Sequence, residues 1–295
     1  MVITRLWGGL GNQMFQYATG RALALRSGVP LQLDIYDLCD RSPLPNFVHR
    51  DCDLGLLMAP LDFASLADLG RAHEKPSSLL TRLTLRYRRE RKRKNSYKEI
   101  DQQFMPELVS ARNKNAYLTG HWQDERYFKD FRDVILKDFA MRGDHESDFS
   151  EPILDSESVC LHVRRTDSIS LPGPLSLLTL CGEDFYRRAI DEIQKKHKNI
   201  RIFGFSDDVE WCEQNLKLQL PITWIPESEA GVRGGGHLWL MMLCKHYIIP
   251  NSTFSWWPAW LGEHPDKMVV CPKHWYHDAS RQSDGLLPDE WIHLD

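Results

Sequence analysis

The stretch VCLHVRRTD, residues 159–167, decides the fold. An apolar run rich in β-branched residues ends there in two charged side chains, Arg164 and Arg165. This pattern is typical of a buried strand whose carboxyl end opens into a polar crevice. Ligands of open α/β sheets bind in that crevice, and two adjacent guanidinium groups would match phosphate oxygens. The alternative is that both arginines lie on the surface and that Asp167 caps the next turn.

Predicted strands and helices alternate on both sides of this stretch, which indicates an α/β fold with mostly parallel sheets. Strands are predicted at 2–7, 31–34, 116–119, 159–165, 200–205, 222–225 and 247–250. Helices are predicted at 14–27, 125–139, 185–196 and 237–246, after Asp207, and from Phe254 or Ser255 onward. The acidic, serine-rich segment 143–158 is the best linker candidate. We therefore expect two domains, 1–150 and 151–295.

Composition excludes several classes of protein. The net charge of −4 gives no general attraction to nucleic acid. The seven cysteines are scattered without a CxxC pair, as in proteins of a reducing compartment. No signal peptide is recognisable at the amino terminus, and the most apolar segment, 238–261, is interrupted by polar residues and proline. We therefore expect a cytoplasmic protein.

A strongly basic segment covers residues 82–98, with nine basic side chains against a single acidic one, Glu90. Such a run is usually a solvated surface. The alternative is attraction to an anionic membrane, which would place the protein peripherally on the inner face of the plasma membrane.

The first predicted strand leads into a glycine-rich turn, GGLGNQ at 8–13. Gly9 and Gly11, followed by a helix and by Asp34, imitate a dinucleotide-binding fingerprint, although the third glycine is replaced by Met14. The amides of Asn12 and Gln13 also suit sugar hydroxyls or phosphate oxygens. In a third interpretation, Asn12 merely caps the helix. The residues alone leave these three interpretations open.

A second polar turn, Asn251 to Thr253, precedes the last predicted helix, and helix amino termini bind anions. In a parallel sheet this turn would open toward the same edge as Arg164 and Arg165, which favours a diphosphate site. Asp51 and Asp53 resemble a metal-binding DxD pair, but they lack the flanking apolar strand, so we interpret them as loop residues. The side chains of 121–123 follow a predicted strand and could face a sugar, although packing in the core is an equally good interpretation of Trp122.

Three segments carry a family resemblance: GGLGNQMFQYATGRALA at 8–24, HVRRTD at 162–167 with FSDDVEW at 205–211, and LMMLCKHYIIPNSTFSWWPAWL at 240–261. Together they resemble the bacterial α-1,2-fucosyltransferases of glycosyltransferase family 11, which are akin to the α-1,6- and protein O-fucosyltransferases. The resemblance implies a GT-B-like architecture, with two Rossmann-like domains facing across a cleft. It further implies that domain 151–295 binds GDP-β-L-fucose, that domain 1–150 lies on the acceptor side, and that no metal or cofactor is needed.

The resemblance also implies site residues, with Arg164 as the main β-phosphate ligand and catalytic group. The implied donor-binding residues are Asn12, Gln13, His162, Arg164, Arg165, Asp167, Asp207, Asp208, Ser252, Thr253, Phe254 and Ser255. Asp207 or Asp208 matches the region where a carboxylate can bind guanine. The acceptor-side candidates are Asp34, His121, Trp122 and Gln123. We expect His162 and Asp167 to orient the arginines rather than to transfer protons.

The implied reaction is inverting transfer of L-fucose to the 2-hydroxyl of a terminal β-galactoside. Its general base is unassigned, with Asp34, Asp37 and Glu125 as candidates. The chain departs from the family pattern at Thr166, Ser168, His237 and Pro258. HVRRTD is the form seen in α-1,6 enzymes, but residues 168–174 lack the carboxylate that follows it there.

Two other functions stay open at the level of sequence. One is an NAD-dependent oxidoreductase using the turn at Gly9 and Gly11, and the other is a non-catalytic glycan-binding module. The first leaves the 240–261 motif unexplained, and the second does not need paired arginines at a strand end.

Overall fold

The computed structural model describes residues 1–41, 49–69, 96–165, 181–276 and 285–295. They form two compact units, Met1–Arg142 (unit 1) and Gly143–Asp295 (unit 2). Our sequence prediction placed the boundary after residue 150 instead. Within the described ranges, no helix combines the length and the apolar character that crossing a membrane requires.

Unit 1 contains a parallel sheet. Its strands in the described residues are β1 (Val2–Arg5), β2 (Leu31–Asp34), β3 (Ser96–Lys98) and β4 (Ala116–Thr119), in the order β2-β1-β4-β3. The basic segment 82–98 thus ends in a strand of this sheet. Residues 82–95, on which the predicted membrane contact depends, lie outside the described residues.

The helices of unit 1 are α1 (Leu10–Ser27), α2 (Tyr36–Cys39), α3 (Leu66–Leu69), α4 (Pro106–Ser110) and α5 (Arg132–Asp138). Helix α1 begins before the predicted residue 14, because the chain turns at Gly8 with a φ of 77° and is already helical after Gly9. Asn12 and Gln13 therefore lie in the first turn of α1 rather than in a loop.

The predicted helix over 125–139 is wrong in its first half. Two 3₁₀ turns, Glu125–Tyr127 and Lys129–Phe131, precede the short helix α5. Phe128 between them has a non-helical φ of −135° and buries its ring against Phe15, with the ring centroids 6.0 Å apart. Burial of this side chain overrides the helical periodicity of the segment.

Unit 2 contains a second parallel sheet. Its strands in the described residues are β5 (Glu157–Val163), β6 (Ile200–Ser206), β7 (Ile222–Trp224), β8 (His246–Ile248), β9 (Val269–Pro272) and β10 (Ile292–Leu294). Their order is β10-β9-β8-β5-β6-β7. The two sheets confirm the α/β class with mostly parallel strands. Strand β5 ends at Val163, so Arg164 and Arg165 directly follow it.

The helices of unit 2 are α6 (Ser150–Leu154), α7 (Glu183–Lys196), α8 (Val209–Asn215), α9 (Gly235–Leu243) and α10 (Thr253–Leu261), and 3₁₀ turns cover Glu227–Glu229 and Val232–Gly234. We expected Pro258 near the first turn of its helix, but it lies inside α10, which starts at Thr253. Because proline has no N–H, the Phe254 carbonyl lacks its usual helical donor.

The two faces of β5 have different neighbours, since successive strand side chains point to opposite faces. Val159, Leu161 and Val163 belong to the buried cluster that includes the apolar side of α7. His162 points the other way and bonds to Ser255 in α10. The central strand is therefore covered on both sides, which explains its nearly continuous apolar sequence.

Candidate functional site

The predicted donor-side residues meet at the carboxyl edge of the unit 2 sheet. Strands β6, β5 and β8 are neighbours and run parallel, so their carboxyl ends lie at one edge. Arg164 and Arg165 follow β5, Asp207 and Asp208 follow β6, and residues 252–255 follow β8. Crevices at this edge are the usual ligand sites of open parallel sheets.

Arg164 is oriented by a carboxylate and stays partly exposed. Its Nη1 lies 3.1 Å from Oδ2 of Asp207, and its side chain exposes 29% of its surface. The Oδ1 atom of Asp207 accepts the backbone N–H of Arg165 at 2.9 Å. Asp207 thereby ties the chain after β5 to the end of β6. A guanidinium carries five N–H donors, so an ion pair of this kind is compatible with phosphate binding.

Arg165 is held on two sides within unit 2. Its Nε lies 3.1 Å from Oδ2 of Asp208, and its guanidinium carbon lies 3.4 Å from the ring centroid of Trp211. Asp208 also caps α8, because its Oδ1 accepts the backbone N–H of Trp211 at 3.2 Å. Both oxygens of the Asp208 carboxylate thus bind protein groups. The arrangement agrees with a supporting role for Arg165.

His162 is buried beneath this edge. Its Nδ1 lies 2.8 Å from Oγ of Ser255, and its carbonyl accepts a hydrogen bond from Tyr186 Oη at 3.1 Å. Burial, with Arg164 as a second cause, lowers the pKa of His162 to about 3. The ring is therefore neutral near pH 7 and connects β5 to α10 as a hydrogen-bonding group, not as a cation.

The turn before α10 is anchored by Asn251. The Nδ2 of Asn251 donates to the carbonyl of His274 at 3.0 Å, and its Oδ1 lies 3.4 Å from Sγ of Cys181. Ser252 is the N-cap residue, and within the described residues its side chain makes no capping hydrogen bond. The helix amino terminus behind this fixed turn favours an anion. Thr253 and Phe254 form its first residues.

A second loop at the same edge was missed by sequence reasoning. Gly231, Arg233 and Gly234 have positive φ angles of 61°, 55° and 80°. A Cβ on Gly234 would lie 3.5 Å from Cζ of Phe254, so the loop lies beside α10. The glycine-rich run at 231–236 was the available signal, because such backbone favours glycine.

His237, one of the positions at which the sequence was expected to depart from the pattern that it resembles, is anchored in this region. Its Nε2 lies 3.1 Å from the carbonyl oxygen of Pro226, and its ring meets Phe205 edge-on with centroids 5.7 Å apart. Asp167 and the departures at Thr166 and Ser168 lie outside the described residues.

In unit 1, the amide side chains of the first α1 turn have partners. Asn12 Oδ1 accepts from Nε2 of Gln123 at 2.8 Å, which joins two predicted residues. Gln13 is completely buried; its Nε2 donates to the carbonyls of Gly8 and Asp51, both at 2.8 Å, and its Oε1 accepts the Asp53 N–H at 2.9 Å. Gln13 therefore holds loops together. Its amide is buried and not accessible to a sugar-nucleotide donor, which corrects its assignment to the donor-binding residues.

Asp34 is also completely buried. Its Oδ2 accepts a hydrogen bond from Tyr117 Oη at 2.5 Å, and its Oδ1 accepts the Tyr36 N–H at 3.0 Å. A carboxylate in this position orients Tyr117 and has no direct access to an acceptor sugar. This corrects our expectation that Asp34 lies on the acceptor side. The other candidate bases are paired: Asp37 with Arg5 at 2.5 Å and Glu125 with Lys129 at 3.6 Å.

His121 and Trp122 follow β4, as expected, but they face different surroundings. Trp122 has a positive φ of 58°, is completely buried and packs edge-on against Tyr127. It is a core residue, which corrects its assignment to the acceptor side.

His121 is half-buried and lies near Trp7. Glu99, not predicted, holds this turn by accepting both backbone N–H groups, and burial raises its pKa.

At the opposite, amino edge of the unit 2 sheet, Glu157, His197 and His246 lie close enough to hold a metal ion. The N–H of Met268 donates to Nδ1 of His246 at 3.1 Å, so the neutral ring carries its proton on Nε2. That proton is directed at Oε1 of Glu157, 2.6 Å away. The Nε2 of His246, which would have to bind the metal, therefore carries a proton and donates it to Glu157. For this reason the cluster does not fit a metal site.

Comparisons with known proteins identify relatives of this chain. The model of Glycosyl transferase family 11 matches residues 82–295. The chain is 28% identical to an Escherichia coli alpha-1,2-colitosyltransferase, covering all of this chain and 99% of that protein. It is 30% identical to the Escherichia coli O-antigen biosynthesis glycosyltransferase WbnK, over 98% of this chain and 99% of that protein. The mouse galactoside 2-alpha-L-fucosyltransferase Sec1 is 23% identical over 59% of this chain and 50% of its own length.

Proposed function

Because the chain belongs to glycosyl transferase family 11, we propose that it is an inverting α-1,2-fucosyltransferase. In this proposal, L-fucose passes from GDP-β-L-fucose to the 2-hydroxyl of a terminal β-galactoside, and no metal ion takes part. Unit 2 binds the donor and unit 1 binds the acceptor. The observation that carries the proposal is the Arg164–Asp207 pair, at the sheet edge where α10 also begins.

The chemistry required at the donor follows from the charge that develops on GDP as it leaves. Donors directed at the β-phosphate stabilise the transition state more than the ground state, because the charge grows as the bond to fucose breaks. Arg164 supplies a guanidinium that Asp207 orients in advance. The amino terminus of α10, whose Ser255 is linked to His162, adds a favourable dipole. Both groups replace the charge that a metal would otherwise provide.

The oxidoreductase alternative loses support at Asp34. In a dinucleotide site this carboxylate would bind a ribose hydroxyl. Here it is completely buried and bonded to Tyr117 and to the backbone of Tyr36. The Gly9 turn leads into α1 as in a nucleotide fold, but Gln13 in its first turn closes onto Asp51 and Asp53.

A second donor is favoured by one observation, the match over the whole chain to an alpha-1,2-colitosyltransferase. Colitose is L-fucose without the 3-hydroxyl. A site that hydrogen-bonds this hydroxyl rejects the deoxy sugar by a large factor, whereas an apolar site discriminates weakly. The ratio of kcat/KM for the two GDP-sugars therefore decides between the donors.

The test combines binding and product analysis. The purified chain is titrated with GDP and with NAD, and is then incubated with GDP-fucose or GDP-colitose and a panel of lactose, lacto-N-biose and N-acetyllactosamine. We expect binding of GDP but not of NAD, and an α-1,2 linkage to galactose by NMR. NAD binding would favour the oxidoreductase, and binding of neither nucleotide would favour a glycan-binding module. Undiminished turnover in excess chelator is expected, and its loss would refute metal independence.

A further inference from the structure

Trp7 is a half-buried residue at the carboxyl edge of the unit 1 sheet, two residues after the end of β1. Its backbone N–H donates to Oε1 of the buried Gln16 at 3.0 Å. Its indole Nε1–H donates to Nε2 of His121 at 3.2 Å, and the His121 ring meets the indole edge-on, with centroids 5.4 Å apart. Both the backbone and the ring of Trp7 are therefore fixed, and the residue remains partly exposed.

A charged pair borders this indole. The guanidinium carbon of Arg5 lies 5.3 Å from the centroid of the Trp7 ring. The Nε of Arg5 lies 2.5 Å from Oδ2 of Asp37, and the two side chains expose 31% and 29% of their surfaces. An apolar ring thus lies next to a hydrogen-bond donor and a hydrogen-bond acceptor that water can reach.

Core packing alone does not explain this arrangement. Trp122, in the same unit, is completely buried. Trp7 instead is only half-buried, although His121 and Gln16 immobilise it. Fixing an exposed indole in advance lowers the entropic cost of binding a ligand on it.

We propose that Trp7, with the Arg5–Asp37 pair at its border, forms the subsite for the galactose ring of the acceptor. This inference rests on the proposed function. The axial 4-hydroxyl of β-galactose leaves C3, C4 and C5 hydrogens on one face of the ring, which makes that face apolar. This face packs on the indole, and hydroxyl groups bond to Arg5 and Asp37. His121 is a positioning residue that holds the indole.

The first experiment measures acceptor binding without a donor. Methyl β-D-galactoside is titrated into the full chain and into the variants Trp7→Ala, Trp7→Phe and Trp239→Ala, with GDP titrated in parallel. Trp239 is the matched control, since it is also half-buried but stacks on His145 in unit 2.

We expect Trp7→Ala to weaken galactoside binding by about 10-fold or more and Trp7→Phe to weaken it less, because a smaller aromatic face remains. GDP affinity should change less than about 2-fold in both, and Trp239→Ala should bind both ligands normally. Full galactoside affinity in Trp7→Ala would overturn the inference. If Trp7→Ala does not fold, galactoside is titrated into Trp7→Phe and Asp37→Asn instead. Full galactoside affinity in both variants would then overturn the inference.

A second measurement tests the positioning role of His121. We expect His121→Ala to raise the acceptor KM without lowering kcat. His121→Gln should bring the acceptor KM back toward that of the unaltered chain, because the glutamine amide oxygen can accept the indole N–H. Equal acceptor KM values in His121→Ala and the unaltered chain would contradict this role.

The proposed function and the galactose subsite are refuted by different results. If GDP does not bind and no sugar is transferred, the proposed function fails, whereas loss of galactoside binding in Trp7→Ala would still support the subsite. If transfer to galactosides occurs but Trp7→Ala performs it with an unchanged KM, the subsite inference alone is wrong.

Discussion

Arg164 Nη1 lies 3.1 Å from Oδ2 of Asp207, and this ion pair joins the segments that follow the neighbouring strands β5 and β6. The other oxygen of the same carboxylate accepts the backbone N–H of Arg165. One side chain therefore orients the first arginine and fixes the backbone of the second. The guanidinium is thus held at the edge where the proposed function places the diphosphate, and preorganisation of this kind is what electrostatic catalysis uses.

Replacing Arg164 by alanine should abolish turnover and leave the fold intact. Loss of a charged donor to the leaving phosphate should raise the barrier by about 3 kcal/mol or more. Partly exposed ion pairs contribute little to stability, so the Tm should stay nearly unchanged. Arg187→Ala, which removes two exposed ion pairs from α7, is the matched control. Near-normal transfer by Arg164→Ala at equal Tm would refute the assignment.

Arg165→Lys should lower stability more than Arg164→Lys. Arg165 lies over the Trp211 ring and beside Asp208, and a lysine cannot reproduce a planar stack. We expect a loss of about 1 kcal/mol in the free energy of unfolding, measured by urea denaturation with circular dichroism. Equal midpoints for the two lysine variants would show that the stack is energetically unimportant.

Stability should fall in mild acid because of His162. Its pKa is about 3 in the folded chain, against an ordinary value of 6.5. Between these values the unfolded chain binds a proton that the folded chain excludes, so folding weakens as pH falls below 6.5. From there to about pH 5, the cost is about 2 kcal/mol. Thermal unfolding across this range should show a shallower dependence in His162→Asn, whereas His274→Asn, at an exposed position, should retain the original slope.

Gly236→Ala should destabilise unit 2. An added Cβ would lie 2.1 Å from the backbone oxygen of Glu229, and backbone cannot swing aside as a side chain can. Overpacking of this kind costs about 1–3 kcal/mol. Gly55→Ala is the control, since no atom of the described residues lies within 4 Å of its Cβ position. If both variants melt at the same temperature as the unaltered chain, the loop at 231–236 is more adaptable than its geometry indicates.

Much of the proposed donor side was predictable, because its signals are local. Arg164 and Arg165 end an apolar run, and Ser252 to Ser255 begin a helix, so their places at a sheet edge follow from the parallel topology. Trp122 was assigned to the acceptor side because it follows a strand, yet strand position does not reveal burial. The error at 125–139 has a similar origin, since apolar side chains at helical spacing also fit a pair of 3₁₀ turns around the buried Phe128.

The sequence by itself determined the alternation of strands and helices, the parallel class, and the presence of two basic side chains at a strand end. These features depend on periodicity and on residues near one another in the chain. Only the tertiary structure decided which partner each side chain takes. Trp7 and His121, 114 residues apart in sequence, meet because β1 and β4 are neighbours in the sheet. Asp207 meets Arg164 because β6 pairs with β5. Hydrogen bonds and ion pairs act over a few ångströms, so sheet order, which no local pattern encodes, selects among the many polar groups available.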